Sequence, residues 1–359
     1  MKPVVYNAHY LVNPNKMDFS KPVEIHFSRF GDTQFIHRHG VDHPNYTIPF
    51  LDTGSFKVFC NFTEPTTSEN IEKMDVLLAN HEKYDLILTS NDEVIENCKN
   101  AVFFPYGTTW LHKELDDKNA VGHYDPSIDV LHEGKDNSIS FLITGLRGKH
   151  GYELRHGVWR RKNEIENKRF YSSTRSQVHD GEPLPDDDKK HLFKSKFSIV
   201  IESSKEENYF TEKICDAFLA KTIPIYWGCP NVDNFFNTDG IIICETEDEI
   251  IEACKMVESN PEIYDQKKTA IDENFEKAKE FCRPLEERIS EIVNEKIETF
   301  IYEEGYDCLL TIGILSLPHR KQYLDRLLDK LNQIGSPHVN KVKVIIEVDN
   351  GEKSVGEKR

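Results

Sequence analysis

Two uncharged apolar runs, residues 197–201 (FSIVI) and 222–227 (TIPIYW), flank a stretch that carries all of the local charge, and this segregation constrains the fold more than any other feature of the chain. Short uncharged runs rich in β-branched and aromatic residues suit strands buried on both faces of a parallel sheet. Between them a polar turn at 202–208 gives way to Phe210, Ile214, Ala217 and Phe218 at helical spacing, which predicts a helix opening near Tyr209. Gly228, Cys229, Pro230 and Asn231 break the second run at the carboxyl end of a strand, where ligands bind in open α/β sheets. Glu212 and Lys213 fall off the apolar stripe in the helix's first turn. There, unpaired backbone N–H groups and the positive end of the helix dipole suit a diphosphate.

The chain has 359 residues, a length that suggests about two domains. Its 45 Lys and Arg stand against 62 Asp and Glu, a formal charge of −17 that argues against nucleic acid as a partner. Any bound diphosphate must therefore be held by a few cations gathered locally. No window approaches 18 uncharged apolar residues, and the first residues (MKPVVYNAHYLVNPNK) lack a continuous apolar core, so the chain reads as soluble, unsecreted and cytoplasmic, with no transmembrane segment. The eight cysteines are scattered without CxxC pairs and read as reduced, packed thiols. Two glycosylation sequons, at Asn45 and Asn61, carry no meaning without secretion. The histidine cluster HRHGVDH at 37–43 lacks a matching ligand set and is read as unliganded, so no metal site is expected.

Residues 1–130 alternate apolar runs at 23–27, 56–61, 84–88 and 101–104 with a helical stretch around 68–81, which predicts an α/β domain. A turn-rich stretch at 125–137 reads as a linker. The second α/β domain is expected over 136–304, with its trailing helices in the highly charged 261–304. Residues 305–359 read as a separate βαβ fragment: a strand at 309–315, an amphipathic helix at 321–334 and a strand at 342–348.

The spacing of Glu202, Tyr209 and Thr211-Glu212-Lys213, followed by the apolar helix and Ile-Pro-Ile-Tyr-Trp-Gly, resembles the donor-binding motif of the family 10 glycosyltransferases, the α-1,3/4-fucosyltransferases, and most closely their soluble bacterial members. Three further segments fall in family order. Val58-Phe59-Cys60-Asn61-Phe62-Thr63-Glu64-Pro65 resembles the segment with the catalytic carboxylate, which makes Glu64 the catalytic candidate. Leu154-Arg155-His156-Gly157-Val158-Trp159 resembles the helix whose arginine contacts the donor diphosphate, here Arg155, with Arg147, Arg160 and Arg161 as rivals. Residues 85–89 and 103–107 resemble strands that close the first domain. The resemblance covers roughly residues 20–285. It implies the GT-B fold, two Rossmann-like domains facing a cleft, with the donor on the second domain and the acceptor on the first. The tail resembles the opening of a GT-A glycosyltransferase and reads as the start of a second module of a larger enzyme.

Moving a sugar from a nucleoside diphosphate to a hydroxyl needs a base for that hydroxyl and cations for the departing diphosphate. The resemblance implies an inverting transfer of L-fucose from GDP-fucose to a glycan hydroxyl, with no cofactor required and with donor and glycan acceptor as partners. Glu64 would be the base. Arg155 and Lys213 would be the cations, and Tyr209 and Glu212 would bond hydroxyls of the donor. Glu202 at the strand end reads equally as a donor contact or a structural group. Gly228 would allow close backbone approach. Ser203 stands where the family usually has asparagine beside the nucleotide, so another nucleotide sugar stays open as donor. A binding module that holds nucleotide or glycan without turnover stays open as well.

Overall fold

The computed structural model describes residues 1–6, 12–28, 55–62, 74–75, 77–111, 122–174, 176–303, 309–316, 341–348 and 353–358. Met1–Glu291 form one compact unit and Ile292–Arg359 a second.

The first unit holds two five-stranded sheets. In sheet one, β1 (Val4–Tyr6), β2 (Val23–Ser28), β3 (Phe56–Asn61), β4 (Leu86–Thr89) and β5 (Ala101–Phe103) lie side by side in chain order, every pair parallel. The apolar runs near 23, 56, 86 and 101 are strands as the sequence predicts, while β1 was not expected from it. Of the helix expected over 68–81, residues 74–75 and 77–80 are helical, and the latter lead into the 3₁₀ turn His81–Lys83. Helix α1 (Asp92–Asn97) follows β4 and is capped by Asn91, whose side chain accepts from Val94 N at 3.0 Å.

Sheet two contains β6 (Asp136–Ile143), β7 (Lys168–Ser172), β8 (Ser195–Ile201), β9 (Ile223–Trp227) and β10 (Ile242–Ile243), in the order β10-β9-β8-β6-β7 and parallel throughout. Counting from its own first strand this is the doubly wound order 2-1-3-4-5, whose direction reverses between β6 and β8. A crevice opens at that reversal, above the strands' carboxyl ends.

Alternation along the strands feeds two cores. Phe197, Ile199 and Ile201 of β8 face one way, with Ile223, Ile225 and Trp227 of β9, against Leu154 and Val158 of α2 (His150–Arg160) and Ile250 and Cys254 of α4 (Glu247–Ser259). Val200 and Tyr226 face the other way, against Ile214, Ala217 and Phe218 of α3 (Glu212–Leu219) and Phe275 and Ala278 of α5 (Lys268–Phe281). Helices on both faces explain why the strands read as unbroken apolar runs rather than alternating ones. The connection at 125–137 is more than a bare linker, because the 3₁₀ helix Pro126–His132 buries Ile128 and Leu131 in the second of these cores.

The halves of the first unit are pinned where the chain leaves sheet one. Arg288 of α6 (Leu285–Glu303) donates to the Pro105, Gly107 and Phe281 carbonyls at 2.6, 3.2 and 2.7 Å and covers the Phe104 ring. Asp216 of α3, fully buried, accepts from Thr109 Oγ1 at 2.6 Å and Trp110 N at 2.9 Å and pairs with Lys189 at 3.0 Å.

In the second unit, β11 (Leu309–Ser316) and β12 (Lys341–Val348) are parallel, the pairing a βαβ crossover requires, and β13 (Lys353–Lys358) adds antiparallel to β12. The helix expected at 321–334 lies outside the described residues, and β13 falls where no strand was read from the sequence.

Candidate functional site

The crevice between β6 and β8 collects most of the predicted site. The helix opens later than expected: Tyr209 and Phe210 precede the cap Thr211, and α3 begins at Glu212. Glu202, the residue after β8, has no exposed surface. Its two carboxylate oxygens accept from Thr211 N (3.0 Å) and Thr211 Oγ1 (2.7 Å), so the buried glutamate closes the 202–211 loop onto the start of α3. Of its two readings, the structural one is met by these bonds.

Lys213 lies 3.3 Å from Glu202 Oε2 and 3.2 Å from Glu212 Oε1, and also donates to Thr211 Oγ1 at 2.9 Å. Burial lowers the pKa of its ammonium, but Glu212 and Glu202 outweigh burial and raise it, so it stays charged. Burial pushes the Glu212 carboxyl up, and Lys213 and Lys189 overcome that and hold it at about 2. Without a ligand, Lys213 is thus neutralised by two glutamates rather than standing as a bare cation.

Arg155 is the one buried arginine among its rivals. Its Nε donates to the Ile201 carbonyl at 3.1 Å, Nη2 donates to the same oxygen, and its guanidinium lies 5.2 Å from the centre of the Tyr152 ring. Nη1 has no hydrogen bond among the described residues. Burial lowers the guanidinium's pKa, against the pull of nearby Glu202. Arg147 is instead exposed and paired to Glu153 at 2.7 Å, Arg160 is exposed, and Arg161 is held by Glu164 and Asp248 at 2.7 and 2.6 Å.

Tyr209 and Ser203 meet hydroxyl to hydroxyl at 3.0 Å in a buried position, and burial together with Glu202 keeps the phenol well above its ordinary pKa. Two glycines set the spacing. A Cβ at Gly151, in the first turn of α2, would overlap the Glu202 carbonyl, so only glycine lets that helix reach the end of β8. A Cβ at Gly228 would stand 2.6 Å from Glu202 Cγ and 2.5 Å from Tyr226 Oη. Gly228→Ala is therefore expected to cost about 1–3 kcal/mol through overpacking, read as a lower urea midpoint at unchanged m-value.

Lys149 was not singled out from the sequence. It caps α2 beside Gly148 (φ 88°), is half-buried, and lies 5.5 Å from the Tyr152 ring centre on which Arg155 also rests. Burial, with the like charges of Lys213 and Arg155, lowers its pKa to about 8. Nothing local signals this, because Lys149 joins the cluster only when β6 and β8 become neighbours.

Glu64 lies outside the described residues, as does the histidine cluster at 37–43. Where the chain approaches residue 64, Asn61 at the end of β3 donates to Thr89 Oγ1 at the end of β4 (3.1 Å). Both line a cavity of about 300 Å³, together with Asp92, Glu93, Glu206, Glu207 and Tyr209, so its wall draws on both halves of the first unit. Burial raises the Glu206 carboxyl. Among the described residues, no group of three or more His, Cys, Asp or Glu could hold a metal ion, and no helix is long and apolar enough to cross a membrane.

Residues 159–284 match the model of the glycosyltransferase family 10 (fucosyltransferase) C-terminal region, a span that contains the whole 196–240 motif. Over 76 residues the chain is 36% identical to the α-(1,3)-fucosyltransferase FucT of Helicobacter pylori, a match covering 20% of this chain and 16% of that relative's length. Among solved structures, an α1,3-fucosyltransferase with GDP aligns with a TM-score of 0.43 at 18% identity, covering 75% of this chain and 78% of that one. The apo structure of OtsA aligns with a TM-score of 0.44 at 10% identity, covering 79% and 72%.

Proposed function

We propose that this chain transfers L-fucose from GDP-fucose to a glycan hydroxyl with inversion at the anomeric carbon, as a cytoplasmic enzyme of the GT-B type. The observation that carries this reading is the cluster of buried Arg155 and Glu202 with half-buried Lys213 and Glu212 at the reversal of sheet two, of which Glu202, Glu212 and Lys213 fall inside the segment that matches the fucosyltransferase family. The GDP bound in the similar α1,3-fucosyltransferase agrees with a guanosine diphosphate donor. Seven buried cysteines among the described residues form no disulfide, which fits a reducing compartment.

In this reading the acceptor hydroxyl gives its proton to Glu64 as its oxygen bonds to the anomeric carbon. The bond from that carbon to the β-phosphate oxygen breaks, and its electron pair leaves with GDP. Arg155 Nη1 meets the developing charge. Lys213 turns from its two glutamates towards the phosphates, and its first-turn position adds the dipole of α3. The phenol of Tyr209 donates to the sugar, and the Glu212 carboxylate, ionised at any pH above about 2, accepts from donor hydroxyls.

Thermal shifts against GDP-, UDP- and dTDP-sugars, followed by transfer to a mixed glycan array, test the assignment. Stabilisation by GDP-fucose above the others, with transfer, is expected. Stabilisation by a UDP- or dTDP-sugar instead would replace the donor, and saturable GDP binding without transfer or hydrolysis would make this a binding module.

A pH dependence follows from Lys149. Its ammonium is present below about 8 and lost above it, so it adds to diphosphate binding on the acid side only. GDP affinity is expected to hold between pH 6 and 7 and to weaken above pH 8, with proton uptake on binding in that range. Calorimetry on Lys149→Arg, whose charge does not titrate there, should remove this limb while leaving any titration of GDP itself in place.

A further inference from the structure

Asn208 is one of four non-glycine residues with positive φ among the described residues, at 60°. Asparagine tolerates that conformation better than most residues, yet glycine would do so with less strain. Its side chain explains the choice. Asn208 Nδ2 donates to Asp92 Oδ1 on α1, whereas Asn208 Oδ1 accepts from Asn231 Nδ2 at 2.9 Å. Its main-chain N donates to Asn231 Oδ1 at 2.8 Å, and that oxygen also takes the Cys229 thiol at 3.0 Å. Cys229 N in turn donates to Tyr226 Oη at 2.9 Å.

One amide therefore joins three elements: α1 behind sheet one, the loop into α3, and the loop after β9. The join sits at the cavity wall, since Asp92 lines the cavity, as do Glu206, Glu207 and Tyr209 on either side of Asn208 in sequence. Tyr209 lies one residue beyond and holds Ser203.

We infer that Asn208 is a positioning residue that clasps the donor loop to the acceptor-side helix α1 and so fixes the distance between a bound sugar and the hydroxyl that attacks it. This rests on the donor assignment proposed above. Only the side-chain amide has both a donor for Asp92 and an acceptor for Asn231. Asn208→Asp would set two carboxylates against each other, and Asn208→Gly would keep the backbone and lose both bonds. Interchanging the partners, Asn208→Asp with Asp92→Asn, restores a donor opposite an acceptor and leaves the Asn231 bonds in place.

The test uses the full chain and these variants in three measurements: GDP affinity, kcat and acceptor KM with GDP-fucose, and urea midpoints. The single variants Asn208→Asp and Asn208→Gly should lower kcat over acceptor KM at least tenfold with GDP affinity within twofold of wild type. The exchanged pair should recover to within about threefold of wild type. Single variants that turn over normally, or an exchanged pair no better than Asn208→Asp, would overturn the inference. If wild type uses no nucleotide sugar, the donor assignment is what fails. The urea midpoints then decide the clasp: Asn208→Asp lowers the midpoint and the exchange restores it, or the clasp is absent.

Discussion

Glu64→Gln should lower kcat for fucosyl transfer by about 10²–10⁴-fold, the range for losing a general base, while GDP-fucose affinity stays within twofold. The carboxamide keeps the side chain's size and cannot take the acceptor's proton, so binding and chemistry separate cleanly. β3 is the central strand of sheet one, and its last residue, Asn61, sits on the cavity wall beside Thr89. Residue 64 follows Asn61 by three positions in the sequence. The control is Glu206→Gln. Glu206 also lines the cavity and has its carboxyl raised by burial, so it is the carboxylate best placed to act instead. Single-turnover rates at saturating donor should collapse for Glu64→Gln and persist for Glu206→Gln; the opposite pattern would move the base to Glu206 and undo the role given to residue 64.

What the sequence disclosed and what it hid divide along sequence separation. Strands β8 and β9, the helix after residue 211 and the break at Gly228 were legible because each is written in a contiguous stretch, by charge segregation and by spacing. The strand order was not. Nothing local says that β8 lies beside β6 rather than β7, and the crevice is set by that neighbour relation. Lys149 and Asn208 were passed over for the same reason, since Lys149 gains its place from the nearby charge of Lys213 on α3 and Asn208 from a bond to a residue 116 positions away. The helix start was misplaced by three residues because the apolar stripe at helical spacing begins at Phe210, ahead of the helix itself; the side chain of Thr211, accepting from Lys213 N, marks the true start. The short strand β1 carries too few residues for a period to register.

Arg155→Lys should reduce kcat/KM for GDP-fucose by about 10²–10³-fold, the effect of removing one preorganised donor from a developing oxyanion, with little change in the urea midpoint. Alanine would be a poor probe, because it would strip the Ile201 carbonyl of two donors and leave Glu202 with less positive charge nearby, mixing folding with catalysis. Lysine retains a charge and one donor for that carbonyl, but an ammonium bonded to Ile201 cannot also extend a rigid second arm towards the phosphates as the planar guanidinium does through Nη1. The loss should therefore fall on the transition state. Ground-state GDP binding should drop less, since Lys213 and Lys149 remain. The comparison with Arg161→Lys fixes the interpretation: that side chain is committed to Glu164 and Asp248 on the outside of α2, and its replacement should leave kcat/KM within a factor of about two, the size of effect typical of surface ion pairs. Equal rates for Arg155→Lys and Arg161→Lys would mean that the buried guanidinium serves the fold alone, and that the diphosphate is met elsewhere.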